Sequence, residues 1–451
     1  MKKRIFIATV VASVLTSCLV GPKYSRPEIK SPEAWSIQSK FVNPRDTINN
    51  LKWFELFKDS VLNNLIAHAL KANLNMGNAV IRLEQSRLVY GMARADGLPS
   101  IGYNASGKIN NPSLNAFSVT GTASWEIDFW GKLRHAKRAA YEQFLASEEG
   151  MKTVKSMLVS EVAAQYFQMR DLDNRLLIAR RTFESRTKYY NLINERFKGG
   201  DIAELDVLQA DQQLSLAKAT ISSISRQLNA TERSLNILLG QMPVAIPRGL
   251  QNADERNIPL IPAGLPSGLL EQRPDVKQAE YILQSETDKI GVAQAARFPN
   301  LSLTGFFGLA SAELSTVISD GSFASNATAT IMGPIFSFGQ NRRRVEVQRK
   351  EAEVAANNYV NTYLTALGDV ENALVSVQTY GDEFDARSRQ AAAATKALML
   401  SQERYTNGYT GYLEVLVAES AMFDSELQAS ATKAQQLSAY IYLYRALGGG
   451  W

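Results

Sequence analysis

The feature that most constrains this chain of 451 residues is an internal repeat with a constant spacing. The stretch "ERFKGGDIAELDVL" returns 208 positions later as "ERYTNGYTGYLEVL". The same offset relates Gly131 to Gly339, whereas Pro99 and Pro299 are 200 positions apart. Repetition over this distance predicts two copies of one structural unit. The second copy carries eight extra residues between Pro299 and Gly339, and we expect them in the stretch "SAELSTVISDGSFAS" (311–325).

Proline positions predict long helices. No proline occurs between Pro112 and Pro243 or after Pro334, so helices can run through both stretches without a break. Apolar residues from Lys132 to Phe197 recur in steps of three, four or seven, which indicates an amphipathic helix. About 65 residues at ~1.5 Å each would span roughly 100 Å, and a helix of that length needs another long helix as its packing partner. Glycines mark the two chain reversals that follow: Gly199, Gly200, Gly408 and Gly411.

Each copy also contains a pair of predicted strands, at about 99–109 and 117–129 and at about 299–310 and 324–338. From Phe117 to Phe129, apolar and polar residues alternate without a break. Alternation over about ten residues with an aromatic residue near the end is typical of membrane strands. The alternative is an ordinary half-buried hairpin in a soluble sheet, and the presence of two such pairs favours membrane strands.

Four strands cannot close a barrel, and lipid tolerates no open sheet edge. Copies of the chain must therefore combine, two copies giving eight strands and three copies giving twelve. Closure alone permits either, and a water-filled conduit favours three.

The first 17 residues have the composition of a signal peptide, with three cations followed by an uncharged apolar run. The run ends in "LTSC", which resembles the bacterial lipobox, and Cys18 is the only cysteine in the chain. The resemblance implies that Cys18 is acylated and becomes the N-terminus. Leu19 follows it, and this favours anchoring in the outer membrane. The segment 18–55 would lead from this anchor to the first helix.

Charge and chemistry exclude several functional classes. Removing the signal peptide lowers the formal net charge from +5 to +2, so no binding to nucleic acid is implied. His68 and His135 stand alone, without acidic residues or cysteine at ligand spacing, and no catalytic or nucleotide-binding motif is present. The sequence predicts neither an enzyme nor a bound cofactor or metal.

Several further stretches point to one family: "GPKYSRPE", "WEIDFWGKLR", "LLEQRPDVKQAE", "FPNLSLTG" and "GPIFSFGQNR". Together with the repeated reversal they make the chain similar to the outer-membrane factor family of TolC-like channels, in the lipoprotein branch that serves efflux pumps. The resemblance implies a membrane β-barrel plus a long α-helical barrel, formed by a homotrimer with four strands per protomer and twelve in all. It implies passive exit of drugs or other small toxic compounds, loaded by an inner-membrane pump and passed on with a periplasmic adaptor.

On this plan the chain has five parts. The signal peptide and the lipid-anchored segment precede a first repeat at 56–242. A connector at 243–274 leads to a second repeat at 275–451. The reversals near 197–204 and 405–412 would lie at the periplasmic end.

The resemblance also implies a gate at the second reversal, formed by Tyr405, Leu413, Glu414 and Val417. Val417 stands where an acidic residue is common in the family, and Ser420 where some members have arginine, so this gate would be more apolar. The alternative is that Leu413, Val415 and Leu416 only pack the helices together.

For adaptor docking we expect a set of small and apolar residues around the reversals: Gly199, Gly200, Leu205, Val207, Leu208 and Gly408. Small residues let another backbone approach closely. The alternative is that the glycines serve only the turns.

Two other functions remain open from the sequence. One keeps the fold but makes it the exit duct of a protein-secreting transporter. The other is a structural coiled-coil lipoprotein without a pore.

Overall fold

The computed structural model describes residues 19–30, 32–33, 35, 59–109, 115–249, 268 and 273–449. The predicted signal peptide, the acylation of Cys18 and most of the predicted connector lie outside the described residues. The chain divides into two compact units. The sheet unit consists of Met1–Ile29, Val80–Gly150 and Asp275–Thr362, and the tip unit consists of Lys30–Ala79, Met151–Pro274 and Tyr363–Trp451.

The described elements follow the order of two repeats. The helices are α1 (Ser60–Ala72), α2 (Leu74–Ala95), α3 (Lys132–Lys198), α4 (Glu204–Leu238), α5 (Pro274–Ala295), α6 (Gln340–Thr406) and α7 (Tyr412–Ala446). The strands are β1 (Ser100–Lys108), β2 (Ala116–Ile127), β3 (Asn300–Ser311) and β4 (Phe323–Met332). None of the helices in the described ranges combines the length and the apolarity needed to cross a membrane.

Corresponding helices of the two repeats have equal lengths. Helices α2 and α5 each contain 22 residues, α3 and α6 each contain 67, and α4 and α7 each contain 35. The repeat seen in the sequence is therefore a repeat of whole elements with conserved lengths, and the length differences lie in the strands and connections.

The four strands form one antiparallel sheet in the order β1-β2-β3-β4. Its register aligns odd-numbered residues on one face: Tyr103 faces Gly121, Gly121 faces Phe307, and Phe307 faces Ser325. Successive side chains of a strand point to opposite sides, and the odd-numbered residues of these strands are mainly apolar, so this face is mainly apolar. Even-numbered positions supply a mainly polar face, as in the row Ser100, Ser124, Thr304 and Thr328.

Neither face of the sheet is covered by a core. All nine residues of β1 are exposed, and most of β4 is exposed as well. Tyr103 and Ile331 on the apolar face are 89% and 73% exposed. Within the described residues, β1 and β4 each pair with one strand only, so both outer edges of the sheet offer unpaired backbone groups.

Two details of the second repeat correct the sequence predictions. Strand β4 ends at Met332, not at residue 338. The reason lies in Pro334, which has no N–H to donate to a strand ladder, and in Gly333, whose backbone packs against Pro299 so closely that a β-carbon would lie 2.7 Å from the proline Cα.

The eight extra residues are also not confined to the β3–β4 connection. Connection 312–322 is four residues longer than its counterpart 109–115, and connection 333–339 is three longer than 128–131. Strand β3 is three residues longer than β1, and β4 is two residues shorter than β2.

The stretch 19–30 is held against the sheet unit by hydrogen bonds to Glu280, the last residue of the motif "RPDVKQAE". Arg26 holds the carboxylate of Glu280 with two hydrogen bonds, from Nε to Oε1 (2.7 Å) and from Nη2 to Oε2 (2.8 Å). The Tyr24 hydroxyl donates to the same carboxylate at 3.0 Å. Gly21 lies against buried His135, where a β-carbon would be 2.8 Å from Nε2. The stretches "GPKYSRPE" and "RPDVKQAE" thus form one contact in the fold, through Arg26 and Glu280, which are 254 residues apart.

Within the tip unit, long helices pack through apolar stripes. One buried cluster combines Leu172, Leu176, Ile178 and Ala179 of α3 with Ile224 of α4 and Phe423 of α7. Two of these residues, Leu172 and Leu176, lie in the stretch from Lys132 to Phe197 whose apolar spacing predicted an amphipathic helix. Helix α1 begins at a side-chain cap, because Asp59 Oδ1 accepts the backbone N–H of Val61 at 2.8 Å.

Candidate functional site

The two helix reversals have the same backbone design. After α3, the N–H of Gly200 donates to Phe197 O (2.9 Å) and the N–H of Asp201 to Arg196 O (3.0 Å). After α6, the N–H of Gly408 donates to Tyr405 O (3.0 Å) and the N–H of Tyr409 to Arg404 O (2.9 Å). Each of these residues lies 208 positions after its counterpart at the first reversal. Gly200 and Gly408 have φ values of +82° and +78°. Both glycines are therefore required by the left-handed conformation that closes a helix end.

The remaining predicted docking glycine is different. Gly199 is exposed and is absent from the residues with positive φ. A β-carbon on Gly200 or Gly408 would meet no atom within 4 Å. The space beside these two glycines is open, so close approach within the chain does not explain them.

Just below the reversals, four helices share one apolar core, which we call the tip cluster. Its buried members are Ile193 of α3, Ala210 of α4, Leu398 of α6, and Tyr412, Val415 and Leu416 of α7. Val207 and Tyr405 are partly buried and pack against it. Val415 and Leu416 therefore hold the helices together, in agreement with the packing alternative for these two residues, and Val207 contributes to the same core.

Leu413 does not follow the packing alternative. It is 57% exposed, and Val417, one helical turn further along α7, is 61% exposed. Residues four apart lie on the same side of a helix. The structure thus places two of the predicted gate residues together as an exposed apolar pair.

Glu414 lies beside this pair and is held by its own reversal. Arg404 Nε is 3.4 Å from Glu414 Oε1, and the Thr410 hydroxyl donates a hydrogen bond to the same carboxylate. Both Arg404 and Glu414 remain well exposed, so this pair contributes little to stability.

Tyr405, the fourth predicted gate residue, connects the two reversals. Arg196 Nη1 donates to its hydroxyl at 3.0 Å, and the guanidinium carbon lies 5.5 Å from the centre of its ring. The ring of Tyr412 is 5.8 Å away. Tyr405 is therefore bound to α3 and α7 together, and Arg196 is a functional candidate that the sequence predictions omitted.

At the first reversal, Leu205 and Leu208 are 62% and 59% exposed. They lie three residues apart near the start of α4 and so share a side of the helix. The structure groups these two docking candidates into one exposed apolar pair.

A buried ion pair below the tip cluster was missed from the sequence. Arg186 Nε lies 3.5 Å from Glu419 Oε2, and the two side chains are 2% and 3% exposed. Arg186 Nη1 also donates to the backbone oxygen of Gln213 at 2.8 Å, and its guanidinium lies over the ring of Phe423. One signal was available: Glu419 occupies the stripe of Leu416 and Phe423, where an apolar residue is expected.

Burial dominates the protonation of this region. It raises the pKa of Glu419, and the guanidinium of Arg186 acts in the opposite direction. Burial also raises the pKa of Tyr412, and the nearby Glu419 carboxylate adds to this effect. Because burial disfavours the charged form of Glu419, the pair is not in itself a strong source of net stability, although removing one partner would leave the other buried alone.

The described residues contain no group of three or more His, Cys, Asp or Glu side chains that could hold a metal ion. His135 is buried with Nδ1 2.7 Å from Asp288 Oδ1, and His68 is exposed on α1.

Comparison with known proteins identifies related chains over nearly the whole length. Residues 65–241 and 265–449 match the family model described as "Outer membrane efflux protein". "Cation efflux system protein CusC" of Escherichia coli (strain K12) is 31% identical over 448 residues, which cover 98% of each chain. "Probable outer membrane lipoprotein SilC" of Salmonella typhimurium is 28% identical over 100% of this chain and 99% of that protein. Among solved structures, the Campylobacter jejuni CmeC outer membrane channel superposes with a TM-score of 0.90 at 26% identity, covering 96% of this chain and 95% of that one.

Proposed function

Because the chain belongs to the outer membrane efflux proteins, we propose that it is the exit duct of a tripartite pump, built as a homotrimer around one continuous channel. Its location is the outer membrane and its role is efflux. The proposed duct is passive: an inner-membrane pump of the RND type loads the substrate, and the duct conducts it outward without a cofactor.

The observation that carries the proposal is the open four-stranded sheet. One face is apolar, the other is polar, and both are exposed over β1 and β4. In lipid, unpaired edges of this kind are excluded because their N–H and C=O groups would find no partner. Three copies supply twelve strands, which would turn the apolar face to lipid and enclose a polar, water-filled interior.

We assign the gate to the second reversal, at Tyr405, Leu413, Glu414 and Val417. The exposed pair Leu413 and Val417 supports this assignment, because three copies of an apolar pair around one axis would form a ring that resists wetting. Glu414 would place a ring of carboxylates next to it and favour cations.

We assign adaptor docking to the first reversal. The exposed pair Leu205 and Leu208 supports this, since apolar side chains of that size gain free energy when a partner covers them. Gly200 and Gly408 shape the two turns, and Gly199 adds a position without a side chain beside them.

The substrates are small toxic compounds. The name of the Escherichia coli relative mentions cations, and we propose metal cations and organic drugs as the first substrates to test. Co-purification of the pump separates this function from a duct that serves a protein-secreting transporter.

The test is native mass spectrometry of the protein extracted from outer membranes in mild detergent, followed by conductance measurements in planar bilayers. We expect three processed chains per particle, each beginning at Cys18 with the mass of its acyl groups, and an ion conductance that rises when Tyr405→Ala loosens the second reversal. A monomer without conductance would contradict the proposal and favour a structural coiled-coil lipoprotein.

A further inference from the structure

The sheet unit contains two equivalent junctions between a strand and a long helix. Trp130 precedes Gly131 at the start of α3, and Phe338 precedes Gly339 at the start of α6. The two glycines have φ values of +83° and +78°. Each glycine carbonyl accepts the N–H four residues later, at 2.9 and 3.0 Å. The aromatic residues Trp130 and Phe338 therefore occupy matching places relative to the start of the long helix. Phe338 lies three residues further from its strand than Trp130 does, and its φ is +48°.

The sheet unit also contains two equivalent positions where a short helix leads into a strand. The N–H of Leu98 donates to Ala95 O at 2.8 Å, and the N–H of Phe298 donates to Ala295 O at 3.0 Å. A proline follows each of them and a strand begins immediately afterwards. Leu98 and Phe298 are thus the matching apolar residues at the beginnings of β1 and β3.

Inside the chain, one junction meets one of these positions. The ring of Trp130 stacks on Phe298 with centroids 4.5 Å apart and an interplanar angle of 21°. Its Nε1 donates to the Pro299 carbonyl at 2.9 Å. The contact follows from the pairing of β2 with β3, which brings the end of one strand beside the beginning of the next.

The other junction and the other position remain open. Phe338 contacts the ring of Phe336 in its own chain, with centroids 4.5 Å apart, but remains 82% exposed, and Leu98 is 63% exposed. They follow β4 and precede β1, which are the two outer strands of the sheet. Within the chain, β2 and β3 lie between β1 and β4, so these two outer strands cannot pair with each other. Strand β4 of one copy can pair with β1 of another copy, as β2 pairs with β3 within the chain.

We propose that the Phe338 ring of one copy packs on Leu98 of the next, repeating between chains the apolar contact that the Trp130 ring makes with Phe298. The hydrogen bond from Trp130 to Pro299 has no counterpart, because phenylalanine has no N–H to donate. The inference rests on the proposed closure of the sheet by three copies, and it adds the residues and the register of the joint. The offsets between the repeats, 208 at the junctions and 200 before the strands, are both even. The strand pairing within the chain places the odd-numbered residues of both β1 and β4 on the apolar face. A joint that pairs odd-numbered residues of β4 with odd-numbered residues of β1 therefore continues the apolar face.

Thiol crosslinking tests the contact directly, because the chain has a single cysteine, Cys18. One set of cells would co-produce two versions of the chain that differ in mass through a tag, one with Leu98→Cys and one with Phe338→Cys. A short bismaleimide applied to the extracted protein should join one chain of each kind. The double variant Leu98→Cys/Phe338→Cys should give covalent dimers and trimers on a denaturing gel.

The matched control is Trp130→Cys/Phe298→Cys, the equivalent pair within one chain. It should react to a crosslinked monomer with no product of higher mass. The unsubstituted chain, which has only Cys18, should give no product.

Native mass spectrometry of the same samples separates the two possible failures. A native trimer in which the control pair reacts but the Leu98 and Phe338 thiols do not would overturn the proposed contact and leave the trimeric duct intact. A native monomer would overturn both. Products joining two Phe338→Cys chains to each other in place of the mixed product would also overturn the contact, because the proposed contact joins unlike positions.

Discussion

The two helix reversals use the same backbone turn and present different surfaces. Both end a 67-residue helix at a left-handed glycine and begin a 35-residue one. At the first, Leu208 is 59% exposed, whereas its counterpart Leu416 is 8% exposed in the tip cluster. The exposed pairs are consequently Leu205 with Leu208 at the first reversal and Leu413 with Val417 at the second.

The difference continues one turn further along the helices. Asp211 of α4 is exposed, while its counterpart Glu419 of α7 is buried against Arg186. The position equivalent to Arg186 in the second repeat is Ala394, which cannot form such a pair. The buried ion pair between Arg186 and Glu419 therefore has no equivalent formed by Ala394 and Asp211. The two copies share the backbone of the turn and differ in the side chains around it.

Removing the buried ion pair between Arg186 and Glu419 should produce the largest change in stability. Arg186→Met leaves the Glu419 carboxylate buried without its cation and removes the side-chain hydrogen bond to the Gln213 carbonyl. We expect a loss of about 3–5 kcal/mol in the free energy of unfolding of the helical region. Urea unfolding followed by circular dichroism at 222 nm measures it.

Arg181→Met is the matched control, because Arg181 also bridges α3 to α7, through Glu426, but is 59% exposed. Its loss should cost less than about 1 kcal/mol. Equal effects for the two variants would show that burial does not distinguish the pairs.

The exposed leucine pairs should separate docking from gating. Leu205→Ser/Leu208→Ser should weaken adaptor binding about tenfold or more, since covering a leucine is worth roughly 1.5–3 kcal/mol. Leu413→Ser/Val417→Ser should instead raise the conductance of the isolated channel by making the proposed ring easier to wet.

Biolayer interferometry with the adaptor and planar-bilayer recording should be applied to both double variants. If each variant changed both properties equally, the assignment of separate roles to the two reversals would be wrong.

The glycines should show a smaller and symmetric effect. Gly200→Ala and Gly408→Ala each force a side chain into the left-handed region, at a cost of about 1–2 kcal/mol. Gly199→Ala avoids that strain and should change stability by less than either. Thermal unfolding of the three variants tests this, and a larger loss for Gly199→Ala would point to a backbone contact beyond the single chain.

The smallest expected effect is that of Glu419→Gln. Burial raises the pKa of Glu419, so between the unfolded and folded pKa values the folded state holds a proton that the unfolded state lacks. The contribution of Glu419 to the free energy of unfolding is most favourable below the ordinary pKa of a glutamate. That contribution is lost as the pH rises through the pKa of Glu419 in the folded state.

Glutamine keeps an oxygen that can accept a hydrogen bond from Arg186, which lies 3.5 Å from the carboxylate, whereas methionine in Arg186→Met offers Glu419 no donor. Glu419→Gln should therefore be tolerated within about 1 kcal/mol at neutral pH, and it should flatten the dependence of stability on pH. The exposed counterpart Asp211→Asn should leave that dependence unchanged. A loss of stability at neutral pH as large as that of Arg186→Met would mean that the attraction in the pair outweighs desolvation.

The sequence predicted features that depend on local chain properties. Helix α3 ends one residue after the predicted Phe197, because Gly200 supplies a left-handed conformation that other residues avoid. The alternation from Phe117 likewise predicted β2, whose observed end is Ile127.

Features that depend on distant residues were not predictable. Arg186 lies in the polar stretch "SRTK", and only the packing of α3 against α4 and α7 buries it. The end of β4 is set partly by Pro299, 34 residues earlier in the chain than Gly333. The distribution of the eight extra residues among strands and connections follows from such contacts as well.

The equal helix lengths have a consequence for changing the size of this protein. Seven residues inserted into α3 alone would displace its end by about 10 Å and pull Ile193 out of the tip cluster. The same is true of each of the other three helices that contribute to that cluster. The tip cluster is therefore retained only when α3, α4, α6 and α7 are lengthened or shortened together by whole heptads. Changes in the lengths of these four helices are coupled to one another.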